Sequence, residues 1–424
     1  MPITQQQLGS RLKEAREAAG LTQLQVAESI GLARSAVAQI ESGNRSVSGL
    51  ELERLAYLYG RDMRELVREE PIAERSALAA LFRAEPAMLA DDELAETLRH
   101  AVQIGRELTN LERLLAITTA GAVAASYEVP RPRSRWQAIV QGNHAAEEER
   151  RRLGLGDGPI ANLSEFLESQ GVRTAWIDLP DDISGMTLHD PGFGWMVVVN
   201  AKHLWERRRF SYAHEYAHVL LDSRSVGTVS RASNRAELEE VRANAFAASF
   251  LMPPAGVASF LEGLGKGQPS RPREEVFDEA DAVAVEGREE PGSQEIQVYD
   301  VALLAHHFRV SRLAVLYRLK NLKILSDTRF ETMKRAEEEG LGLRTQRALQ
   351  MHPPDPTVLR MEFKRRFLGL ALEAYRRSLI SRAKLRELAG LLDYEPRQIE
   401  ELLAEAGLLE QPPARPRVPG RLND

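Results

Sequence analysis

Arg207–Asp222 reads RRRFSYAHEYAHVLLD, and its middle, His214-Glu215-Tyr216-Ala217-His218, decides more of the fold than any other stretch. Two histidines four apart on a helix share one face, so both imidazoles can reach one metal ion. Glu215, beside the first of them, is placed to take a proton from water activated by that metal. Phe210, Tyr212, Ala213, Val219, Leu220 and Leu221 surround the pair with the apolar side chains of a buried helix. A catalytic zinc site keeps three protein ligands and leaves one position open. The third ligand is sought in ELEEVRANAFAASFLMP, Glu237–Pro253. Glu240 is preferred, with Glu239 and Glu237 as competitors, because Ala243, Phe246, Ala247 and Phe250 then mark the buried side of the same helix.

The chain of 424 residues is long enough for two to four domains. Its hydrophobic content of 43% is that of a globular protein. No apolar run reaches the ~20 residues that span a bilayer, and the N-terminus lacks the apolar core of a signal peptide, so a cytoplasmic protein with no membrane partner is expected. The absence of cysteine excludes disulfides, thiolate ligands and cysteine nucleophiles. The net charge of −6 is unevenly spread: residues 1–70 are near neutral, 262–297 carry about −6, and 301–424 carry about +7. The basic C-terminal third is read first as a solvated helical face.

Near the N-terminus, Leu12, Ala15 and Ala19 mark the inner face of a helix that stops at Gly20. Thr22 caps the next helix, with Leu24, Val26, Ala27 and Ile30 largely apolar, and Gly31 permits a tight turn. A further helix from Ala33 to Glu41 turns Val37 and Ile40 inward. This is a helix-turn-helix pattern, whose second paired helix enters the major groove by its N-terminal end. Gln23 opens the preceding helix and is a candidate phosphate anchor. Asn44 and Arg45, after the reading helix, are further candidates.

Two family resemblances rest on these stretches. GLTQLQVAESIGLARSAVAQIESGNR, within a module of about 60 residues, resembles the XRE (Cro and phage-repressor) family. That likeness implies duplex operator DNA as partner, action as a homodimer, and reading positions at Arg34, Ser35 and Gln39. IVQGNHAAEEERRRLGLGDGPIANLSEFLESQGV, WMVVVNAKHLWERRRFSYAHEYAHVLLD and EEVRANAFAASFLMP resemble the ImmA/IrrE family of zinc metallopeptidases. The resemblance implies a gluzincin-like site in which His214, His218 and Glu240 bind Zn2+ and Glu215 is the catalytic base. It also implies that XRE-type repressors are cleaved, relieving repression under stress. Tyr216 departs from the Leu or Ile common in relatives; two positions past a ligand it points away from the metal and is read as packing.

The remaining segments complete the expected plan. That plan is multidomain: an all-α helix-turn-helix domain (1–70), a helical linker (71–128), an α+β zincin-like peptidase domain (129–256), an acidic flexible insertion (257–297), a mostly α C-terminal region (298–410) and a disordered tail (411–424). VRTAWIDL and GWMVVVNA read as strands, and Gly194–Asn200 is expected as an edge strand that pairs with extended substrate. His306 and His307 are read as structural. The alternative to an endopeptidase is a DNA-binding regulator whose zinc-peptidase fold serves as a sensor or partner-binding module.

Overall fold

The computed structural model describes residues 3–19, 21–59, 61, 63–67, 91–117, 125–190, 193–222, 227–231, 233–266, 273–277, 282–286, 294–351 and 356–408. Gly20, the first part of the expected linker and the tail expected to be disordered lie outside the described residues. The chain divides into two compact units, Met1–Ala122 with Asp190–Gly194 and Asp355–Asp424, and Val123–His189 with Trp195–Pro354.

The first unit begins with α1 (Gln5–Ala18), α2 (Gln23–Ile30), α3 (Arg34–Glu41), α4 (Gly49–Tyr59) and the short α5 (Met63–Val67). Thr22 caps α2 in a capping box with Gln25, and Gly31 closes it at φ 74°, a left-handed conformation that glycine adopts without Cβ strain. Leu12, Val26, Val37, Ile40, Leu55 and Tyr59 form the core of this module. A buried Arg16–Glu41 ion pair, Nε to Oε1 at 2.6 Å, ties α1 to the end of α3. Next comes α6 (Asp92–Leu114), begun by Asp91, whose side chain accepts from the Leu94 N–H.

The second unit carries α7 (Arg135–Arg152), α8 (Leu163–Ser169), β1 (Val172–Ile177), β2 (Ile183–Asp190), β3 (Gly194–Asn200), α9 (Trp205–Leu221), β4 (Gly227–Arg231), α10 (Leu238–Leu251) and α11 (Pro254–Gly263). The strands lie in the order β1-β3-β2-β4, with β1 parallel to β3 and β2 antiparallel to β4. The strand at Gly194–Asn200 is therefore interior, not the expected edge. It has a neighbour on each side, so its backbone cannot also take up a substrate strand; the edges are β1 and β4. Helix α7 lies against α10 so closely that a Cβ on Gly142 would stand 2.3 Å from the Arg242 carbonyl oxygen.

The boundary expected at 256/257 falls inside α11, and β5 (Arg273–Phe277) pairs with β6 (Ala282–Glu286) within the segment expected to be a flexible insertion. Val283 and Val285 alternate with alanines in β6, a strand pattern that the segment's acidic average conceals. Helices α12 (Val298–Phe308), α13 (Arg312–Asn321), α14 (Asp327–Glu338) and α15 (Leu341–Ala348) follow. Val301, Phe308, Leu316, Leu319 and Phe330 join the same core as α9 and α10. His307 packs between Phe260 and Phe308 with ring centroids 4.7 Å away on either side, a structural role.

The last helices, α16 (Pro356–Arg376), α17 (Arg382–Gly390) and α18 (Pro396–Glu405), belong to the first unit. Residues 298–410 are thus not one region. Leu108 and Leu111 of α6 share a core with Phe367, Ala371, Leu385, Leu388 and Leu403, because each of these amphipathic helices has an apolar stripe to cover. Among the described residues no single helix is long and apolar enough to cross a membrane.

Candidate metal centre

Helix α9 presents His214 and His218 one turn apart, and α10 brings Glu240 to them from its first turn. His214 Nε2 stands 3.3 Å from His218 Nε2 and 3.1 Å from Glu240 Oε2, while His218 Nε2 stands 3.5 Å from Glu240 Oε1. Two nitrogens each about 2.0–2.1 Å from a tetrahedral ion lie roughly 3.3 Å apart. The three donors thus already have the spacing of ligands on one metal, and all three residues are buried. Burial opposes protonation of His218, but hydrogen bonds with Asp222 and Glu240 outweigh it and push its pKa up to about 10. Burial likewise works against the Glu240 carboxylate, yet both imidazoles hold it down to about 2. A firmly ionised carboxylate beside two imidazoles supplies the negative charge a cation site needs, and a bound cation would take the place of the proton that His218 otherwise holds.

The outer nitrogens of both rings are engaged. His214 Nδ1 lies 3.1 Å from Asn244 Oδ1, and His218 Nδ1 donates to Asp222 Oδ2 at 2.8 Å. These bonds aim both Nε2 atoms inward, the usual arrangement of metal-bound histidine. Ser230, on the edge strand β4, places its Oγ 3.2 Å from His214 Nε2.

Glu215 is fully buried. Its Oε2 accepts from Thr187 Oγ1 at 2.7 Å, and its Oε1 has no hydrogen-bond partner among the described residues. Gly185 makes room for it, since a Cβ there would stand 2.9 Å from Oε1. Tyr216 points the other way: its hydroxyl donates to the buried Glu149, and its ring packs on Phe166, Phe246 and Phe250.

Residues 167–268 match the model of the IrrE N-terminal-like domain, and residues 12–66 match a helix-turn-helix family model. The chain carries an XRE-type helix-turn-helix domain and, further on, an IrrE-like peptidase-family domain. Every candidate ligand, the candidate base and all six candidate DNA contacts fall inside these two matches. No curated protein matches the chain. One solved structure among those similar to it is the crystal structure of ComR from Streptococcus suis, at 11% identity over 94% of this chain and 96% of that one, with a TM-score of 0.15.

In the helix-turn-helix domain, Arg34, Ser35, Gln39 and Asn44 are exposed. Gln23 is drawn inward, its Nε2 donating to Glu41 Oε2 at 2.9 Å, and Arg45 pairs with Glu51 at 2.7 Å. Thr187, Ser230, Asn244, Asp222 and Arg242 were not singled out from the sequence. Asp222, four residues past His218 on the same helical face, carried a readable signal; Thr187 and Ser230 reach the site through sheet pairing that one chain's pattern does not display.

Proposed function

We propose that the chain is a zinc-dependent endopeptidase tied to its own DNA-binding domain, acting in the cytoplasm on an XRE-type repressor. The observation that carries this reading is Glu215. A purely structural metal site needs no base, yet here a buried carboxylate beside the ligands is held by Thr187 through one oxygen and offers the other. Zinc held by His214, His218 and Glu240 would supply Lewis-acid activation of water and of the scissile carbonyl. Glu215 Oε1 accepts the proton of the attacking water and later returns it to the departing amine. Thr187 holds Oε2 and leaves Oε1 without a hydrogen-bond partner among the described residues, free to take a proton. An extended peptide would pair along the outer side of β4, the edge strand whose Ser230 reaches His214.

The DNA-binding half follows from the match at 12–66. We assign reading of base edges to Arg34, Ser35 and Gln39 at the start of α3, with Asn44 on a phosphate and the chain acting as a homodimer on operator DNA. Gln23 and Arg45 would reach phosphates only by leaving their present partners, Glu41 and Glu51. One observation favours a regulator that uses the peptidase fold as a sensor: Glu215 is 0% and His218 2% exposed, so the site is enclosed. Incubation of the zinc-loaded protein with XRE-type repressors from the same genome separates the two. The endopeptidase yields two discrete fragments that vanish on chelation; an intact repressor in every pairing leaves the sensor reading.

A further inference from the structure

Asp222 ends α9 as its C-cap, and its backbone N–H bonds the His218 carbonyl. Its two carboxylate oxygens do different work. Oδ2 accepts from His218 Nδ1 at 2.8 Å, and Oδ1 accepts from Arg242 Nη2. Arg242 is 1% exposed and sits on α10 two residues past Glu240, and its backbone faces α7 at Gly142. An arginine buried this deeply is costly unless paired. The pair joins the helix that carries both histidines to the helix that carries the glutamate, through a layer outside the ligands.

We propose that Asp222 and Arg242 form a positioning couple for the metal centre, with Arg242 fixing Asp222 and Asp222 fixing the ring of His218. Neither residue touches the metal or the substrate. The inference rests on the zinc reading above and adds to it two residues and an order of action. Asp222 fixes the tautomer of His218 with Nε2 facing Glu240, and its negative charge makes that nitrogen a better donor. Arg242 acts only through Asp222, by holding its carboxylate in plane with the ring and offsetting the charge.

Zinc affinity of the full-length protein, measured by competition with a chromophoric chelator, tests this without a substrate. Asp222→Asn keeps the volume and lowers affinity by about 10–100-fold. Arg242→Gln lowers it by a smaller factor, and the double variant Asp222→Asn/Arg242→Gln binds as Asp222→Asn alone does. Cobalt in place of zinc shows a changed visible spectrum in Asp222→Asn, while circular dichroism in excess chelator stays that of the wild type. Should Arg242→Gln fail to fold, Asp222→Asn decides alone. Affinity within twofold of wild type with an unchanged cobalt spectrum in Asp222→Asn overturns the proposal, as do additive effects in the double variant. His214→Ala is the control. If it too leaves zinc binding untouched, the metal reading itself has failed; if it abolishes binding while Asp222→Asn does not, only the couple has.

Discussion

On the proposed reading, binding and chemistry separate at Glu215. Gln at this position keeps the shape and can still accept from Thr187 through its carbonyl oxygen, but it cannot take a proton. Glu215→Gln should therefore retain zinc at wild-type affinity and lose about a hundred- to ten-thousand-fold in turnover of a cleaved repressor. Metal analysis alongside single-turnover cleavage checks both halves, and full turnover in a zinc-replete variant would remove Glu215 from its role. That His214, His218 and Glu240 meet was readable at this scale, because an i, i+4 pair on a helix fixes its own geometry and the apolar stripe of the second helix fixes which side of it faces in. The bonds that aim these groups were less so. Thr187 meets Glu215 across 28 residues and Asn244 meets His214 across 30, and only the packed fold brings them together.

Between elements, α7 and α10 approach one another closely. Gly142 puts its Cα against the Arg242 carbonyl and the Phe246 N–H, where an added Cβ would lie 2.3 and 2.8 Å away, both on backbone that cannot swing aside. Gly142→Ala should push α10 outward, destabilise the second unit by about 1–3 kcal/mol, and weaken zinc binding because Glu240 and Arg242 ride on that helix. Chemical denaturation with and without zinc measures both; an unchanged midpoint means the helices yield more readily than their spacing implies. The reading helix α3 makes a separate prediction. Arg34 is exposed at its first position, so Arg34→Ala should relax preference at one base pair, by about 1–3 kcal/mol if the contact is two-pronged. Asn44→Ala should instead weaken all duplexes alike and flatten the salt dependence. Selection from a random duplex pool distinguishes the two, and no enrichment by the wild type would end the operator reading. The helices themselves were legible from caps and periodicity, as at Thr22 and Gly31. Strands β2 and β4 were not, since β2 holds Gly185 and Thr187 on its site-facing side and so lacks the alternation of an ordinary strand.

Across the whole chain, composition suggested one C-terminal region, whereas packing assigns its two halves to different units. The division follows from which apolar stripes meet, a tertiary fact that local pattern leaves open. It also makes a thermodynamic prediction. The first unit is held where α6 meets α17 by a buried ion network: Lys384, fully buried, donates to Glu107 at 2.9 Å and to Glu387 at 2.8 Å, and Arg61 also pairs with Glu107. Burial works against the Glu107 carboxylate, but Lys384 and Arg61 hold its pKa below the ordinary value. Lys384→Met removes one of the cations that Glu107 is paired with and leaves a buried carboxylate undercompensated, a loss of about 3–5 kcal/mol. In a unit of this size that lowers its melting temperature by roughly 6–20 °C. Zinc at the proposed site would act on the other unit, where a thousandfold excess over the dissociation constant adds about 4.1 kcal/mol. Scanning calorimetry should then resolve two transitions, one moved by Lys384→Met and insensitive to chelation, the other moved by chelation and insensitive to Lys384→Met. Operator DNA should raise only the first, since Arg34 and its neighbours lie in that unit. A single transition that answers to zinc, to DNA and to the lysine together would show that the units unfold as one, and that metal binding reaches the DNA-binding helices through the body of the protein.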